Sequence, residues 1–153
     1  MTTTDLREIG RRNWVLRSDM PSGCEPHVRE MHSKNGLWRE CFESRLRDAD
    51  VQSAAIAFLQ ECGGRERDIH LAGNSVHSDY RYLLMQMPTL AKWFSHRILD
   101  ISSLGLMARW NHVALTKSES IHRSLPDCDL SIAQYRECLG IFQRGANTEV
   151  SEA

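Results

Sequence analysis

Apolar side chains recur at helical spacing along much of the chain, with short apolar steps between that read as strands. In the first half the clearest run is Val51, Ala54, Ala55, Phe58 and Leu59, at i, i+3, i+4, i+7 and i+8. With Asp48 and Asp50 at its start and Cys62-Gly63-Gly64 at its end, it predicts a helix reaching Glu61. Ahead of it, Pro26 in a first turn and Asn35-Gly36 as a stop predict a short helix whose Val28, Met31 and His32 share a face. Leu37 to Leu46 reads as another. Tyr82, Leu83, Met87 and Leu90 repeat at helical spacing, and Met87-Pro88-Thr89 breaks that run before a further turn from Leu90 to Phe94. Ile132, Tyr135, Leu139 and Phe142 mark a last helix. The apolar steps are His70-Leu71-Ala72 and Arg97 to Ile101. The second reads as a buried strand, so its Asp100 must be paired or hydrogen-bonded. Ser102-Ser103 is expected to cap a helix from Leu104 to Trp110, and residues 111–121 read as a polar loop. Helices alternating with short strands argue for an α/β fold.

Two segments fall outside this pattern. Residues 1–20 have no sustained period, only the cluster Trp14-Val15-Leu16, and read as a divergent or loose leader. Residues 144–153 read as a disordered tail, which leaves 21–143 as the domain. The 153 residues suit one domain with a real core. A net charge of −1 argues against a long basic surface for duplex DNA but leaves room for a site gripping one or two phosphates. No apolar run approaches the roughly 18 residues that a membrane span needs. The first 20 residues lack the apolar core of a secretory signal, and their mixed charges make a poor transit peptide. Five scattered cysteines without a CxxC fit reduced thiols better than a disulfide frame or a zinc site.

The candidate chemistry centres on Leu71 to Leu83, LAGNSVHSDYRYL. An apolar step that runs into Gly73-Asn74-Ser75 and then a helix gathers backbone N–H groups, a hydroxyl and the Asp79 carboxylate at one corner. Such a corner can hold a phosphate or, through Asp79, a metal. A capped turn with no chemistry has the same local signature. Asp127 likewise opens a helix after a loop, and His122 precedes it by five positions. Carboxylates from separate helix starts are what hard divalent cations use, and a neighbouring histidine can take a proton from attacking water.

Three blocks resemble one family: AGNSVHSDYRYLLMQMP (72–88), HRILDISSLGLMARW (96–110) and HRSLPDCDLSIAQYRECL (122–139). Their order and spacing are similar to those of oligoribonuclease, a 3′→5′ exoribonuclease of the DEDDh group. VREMHSKNGL (28–37) looks like that family's segment ahead of its long loop, so the resemblance runs from about Pro26 to Phe142. It implies a helix-rich ribonuclease H-like exonuclease fold. It also implies degradation of oligoribonucleotides of two to five nucleotides to mononucleotides by two-metal hydrolysis with Mg²⁺ or Mn²⁺. By the same resemblance Asp79 and Asp127 are metal-binding, with His122 the general base. Ser75, Arg97 and Ser102 take the substrate's 5′-phosphate, the arginine reaching across a homodimer. The implied partners are short single-stranded RNA and a second copy, with no membrane; the place is the cytoplasm, or a mitochondrion in a eukaryote.

The family's first motif, Asp-x-Glu on an opening strand, has no counterpart ahead of residue 26. Asp5-Leu6-Arg7 has arginine where glutamate is needed, and Glu8 is one position off, on the other face of a strand. His27 and His96 stand where the family tends to carry tryptophan and tyrosine. The fold is therefore expected to be incomplete at its N-terminal side. Two functions stay open: the exoribonuclease itself, or an inactive relative that binds short RNA or dimerises with an intact copy.

Overall fold

The computed structural model describes residues 1–19, 21–116 and 120–150, with side chains as far as Gln143. Lys117, Ser118 and Glu119 of the expected loop and residues 151–153 of the expected tail lie outside the described residues. The element order is α1 (Pro26–Lys34), α2 (Leu37–Glu43), α3 (Asp48–Glu61), β1 (Ala72–Gly73), α4 (Val76–Gln86), α5 (Pro88–Ala91), β2 (Leu99–Asp100), α6 (Ile101–Trp110) and α7 (Ser124–Val150). Each periodic run became a helix, all but the last within a few residues of its expected bounds.

The core forms where α3 meets the α4–α5 break. The α3 stripe Val51, Ala55 and Leu59 buries against Met87, Leu90 and Trp93. Fully burying a side chain such as Leu59 or Leu90 is worth about 1.5–3 kcal/mol. Pro88 makes this packing possible: it cannot continue α4, so the chain turns and α5 presents Leu90 inward. Gln52 Oε1 then accepts the N–H groups of Thr89 and Leu90, at 2.9 and 3.2 Å, and holds the new helix start.

β1 and β2 pair in parallel with Ala72 opposite Leu99 and Gly73 opposite Asp100, joined by the α4–α5 crossover. An isolated parallel bridge of Ile69 with Phe94 extends the pairing backward. The step at 97–101 is a strand for only two residues, both half-buried, because Asp100 leaves the ladder to cap α6. Its side chain accepts the Ser102 N–H at 3.0 Å, so the cap lies two residues ahead of the expected Ser102-Ser103.

The first 19 residues are irregular but closely packed. Trp14 and Leu16 lie against the core, and the Trp14 ring meets Phe58 edge-on at 6.2 Å. The Met1 amine donates to Gly10 O at 2.7 Å, Arg17 N–H to Leu46 O at 2.8 Å and Ser44 Oγ to Val15 O at 2.6 Å. A Cβ at Gly10 would stand 2.9 Å from both Phe58 Cε2 and Cys62 Sγ, so only glycine lets the backbone approach α3 this closely. The expected loose leader is thus docked, since leaving Trp14-Val15-Leu16 in water costs more than ordering the segment around them. At the other end α7 runs 27 residues, so its backbone helix continues through 144–150, beyond the point where a disordered tail was expected.

Candidate active site

The corner after β1 is a hydrogen-bonded junction of three elements. Ser75, the N-cap residue of α4, sits at φ 52°, ψ 34°, a left-handed conformation that L-residues seldom adopt. Two acceptors hold it there: its N–H donates to Asp100 Oδ1 at 3.1 Å and to Ser102 Oγ at 2.8 Å. Its hydroxyl does not cap α4 and lies 3.4 Å from the Ser102 hydroxyl. Asn74 Nδ2 donates across to α7, to Ser131 Oγ and Gln134 Oε1, both at 2.9 Å, while its Oδ1 accepts from Ser102 Oγ at 3.4 Å.

Asp100 anchors the junction. Desolvation pushes its pKa up, but the bonds from Ser102, His77 and Ser75 outweigh that and hold the carboxyl below its ordinary value. The structure therefore brings Ser75 and Ser102 together, with a carboxylate that accepts both of their N–H groups. Arg97 is exposed nearby on the β2 approach, where its N–H donates to Ser95 Oγ at 3.2 Å. The hydrogen bonds of the corner do not include its guanidinium.

The acids and the histidine are placed by two helix starts. Asp79 lies in the first turn of α4. Desolvation raises its carboxyl above the usual range, partly offset by a backbone hydrogen bond and by His77. Asp127 lies in the first turn of α7, and its Oδ1 accepts the Ser120 hydroxyl at 2.7 Å. The same Ser120 oxygen accepts the His122 N–H at 2.9 Å. His122 stands at φ 55°, its carbonyl bound by Asn35 Nδ2 at 3.1 Å and its ring edge-on to His32 at 6.4 Å.

His122 also lines an open groove of about 410 Å³ with Asn13, Arg17, Asp48, Tyr82 and Arg123. There Tyr82 donates to Asp48 Oδ1 at 2.7 Å; burial, then that carboxylate, push its hydroxyl up to about 12. Neither Asp79 nor Asp127 lines this groove.

Among the described residues, no group of three or more His, Cys, Asp or Glu side chains could hold a metal ion. Asp79 and Asp127 come from two helices, and neither belongs to such a group. A hard divalent cation takes about six oxygens, so the residues as arranged do not fit a two-ion centre.

Sequence reasoning missed three contributors: Asn74 as a bridge to α7, Ser120 as the link between His122 and Asp127, and Arg11. The Arg11 guanidinium grips both oxygens of Asp129 at 2.7 and 2.9 Å, which fastens the leader beside the start of α7. The partners of Asn74 and Arg11, 57 to 118 positions away, leave no periodic trace in the sequence.

No family model matches the chain. It is 35% identical over 133 residues to the oligoribonuclease of Streptomyces coelicolor, covering 82% of this chain and 66% of that one. To the oligoribonuclease of Pseudomonas savastanoi it is 37% identical over 106 residues, 69% of this chain and 59% of the relative. To a probable oligoribonuclease of Schizosaccharomyces pombe it is 34% identical over 107 residues, 69% and 42%. The chain thus spans only about half of several curated relatives it matches, with the matched share ranging from 42% to 66% in these three. The helix-rich α/β layout with a small parallel sheet agrees with a ribonuclease H-like exonuclease fold. By sequence similarity and by that layout, the chain belongs to the oligoribonuclease family.

Proposed function

We propose that this chain hydrolyses short oligoribonucleotides, of two to five nucleotides, from the 3′ end to mononucleotides. The observation that carries the reading is the corner, where the Ser75 and Ser102 hydroxyls stand 3.4 Å apart beside the first turn of α4. In this reading the two hydroxyls receive the 5′-phosphate of the substrate, and Arg97 of a second copy reaches across a homodimer to neutralise it. A capped 5′ end leaves room for only a few nucleotides, which favours short RNA over long.

His122 accepts the proton of the attacking water at a ring nitrogen. Asp79 and Asp127 would be the carboxylates offered to a divalent ion, Mg²⁺ or Mn²⁺, which would supply charge stabilisation at the phosphodiester; these two acids alone do not make a two-ion centre. What the chain itself supplies in this reading is binding, orientation and the proton acceptor. The domain that does this is residues 21–143, with the leader packed on it. No described helix is long and apolar enough to cross a membrane, and the proposed place of action is the cytoplasm, or a mitochondrion in a eukaryote.

The test is hydrolysis of a 5′-phosphorylated RNA dinucleotide by the purified chain with Mn²⁺, beside Asp127→Ala. The expected result is turnover in the wild type that falls by about a hundredfold or more in the variant. Bound dinucleotide without turnover would overturn the enzyme reading and favour the non-catalytic relative.

A further inference from the structure

The junction that gathers Ser75 and Ser102 continues as a chain of hydrogen bonds to the other end of the site. Ser102 Oγ donates to Asn74 Oδ1, and Asn74 Nδ2 donates to Ser131 Oγ and Gln134 Oε1 on α7. Ser131 Oγ in turn lies 3.0 Å from the carbonyl of Asp127, one turn back toward the start of α7. Asn74 is the only residue of this series that bonds to both α6 and α7, and its amide is used from both ends. Its oxygen takes one bond from α6 and its nitrogen gives two to α7. Alanine would leave those partners bare, and aspartate could not donate to Gln134.

From this we infer that Asn74 is a specificity-determining residue. It fixes the separation between the hydroxyl pair at the corner and the Asp127–His122 end, and thereby sets the length of RNA that fits between them. The inference rests on the reading above for what the two ends bind, but it concerns the spacer rather than the ends. Neither Asn74 nor Gln134 is assigned a contact with the reacting atoms, so each acts through what it positions.

The experiment measures equilibrium binding of 5′-phosphorylated RNAs of two, three and five nucleotides. It compares the wild type, Asn74→Ala, Gln134→Ala and the double variant, with turnover recorded in parallel. In the wild type the dinucleotide should bind best. Losing the three hydrogen bonds of the bridge should reduce the preference for dinucleotide over pentanucleotide by about three- to tenfold in Asn74→Ala. Gln134→Ala should move the same ratio in the same direction, and the double variant should be no worse than Asn74→Ala, because the two residues share one bridge.

A length ratio within twofold of wild type in Asn74→Ala overturns the inference, as does an equal weakening at every length, the mark of a merely structural residue. Binding with the expected ratios but without turnover in the wild type would overturn the exoribonuclease reading alone. No binding by the wild type overturns both.

Discussion

At the scale of single residues, Asp100 decides the geometry of the corner. The sequence already required it to be bonded, since a carboxylate in an apolar step is costly alone. What could not be read was that both of its hydrogen-bonded N–H partners, Ser75 and Ser102, belong to the candidate phosphate site; the first is 25 positions away and in a left-handed conformation. The carboxyl sits below its ordinary value in the folded chain, so its contribution is present above about pH 4 and is lost as pH falls through the folded value. Asp100→Ala should lower the melting temperature by about 2–4 °C at pH 7, as loss of a helix cap of about 1 kcal/mol does in a chain of this size. That difference should shrink at pH 3. Thermal melts at the two pH values check it, and an equal difference at both would mean that the charge does not matter. The spacing of His122 to Asp127 stands in the sequence, but the tie through Ser120 could not be read, because a serine two residues before a histidine has no distinguishing pattern.

Among the elements, helices were legible in place and, α7 apart, in length, and the two strands in place but not in length. A helix announces itself over ten residues or more, as α3 does through Val51, Ala55 and Leu59. A two-residue strand such as β2 carries no period, and its last residue serves α6 instead. The leader was the largest surprise: Trp14 and Leu16 have no repeat to declare them, yet they pack on the core. Its approach to α3 depends on Gly10. Gly10→Val should overpack against Phe58 and Cys62 and cost about 1–3 kcal/mol of local docking. Limited proteolysis should then cut within residues 1–19 well before the helices, whereas in the wild type both should resist together. Unchanged protection of the leader would show that the contact yields.

At the scale of the whole molecule, many large apolar side chains face solvent, among them Trp110 at 71%, Met85 at 65% and Phe42 at 62%. Apolar exposure on that scale suits a chain that associates. A homodimer, about twice 17.6 kDa, is expected in sedimentation at micromolar concentration. If Arg97 serves the opposite site, mixing Arg97→Ala with Asp127→Ala should restore about a quarter of the wild-type turnover, because half of the dimers would then be hybrids with one intact site. A monomer, or no recovery on mixing, removes Arg97 from the phosphate site. The joining of Arg11 to Asp129, 118 positions apart, reaches beyond equilibrium structure into the order of manufacture. On the ribosome, residues 1–19 are made ahead of α3 and can settle on it once α3 has emerged. Their second anchorage does not exist until the start of α7 has been made, roughly 3–14 s after α3 at ordinary rates of elongation. During that interval residues 1–19 are fastened on one side only, and α7 is the helix that closes them.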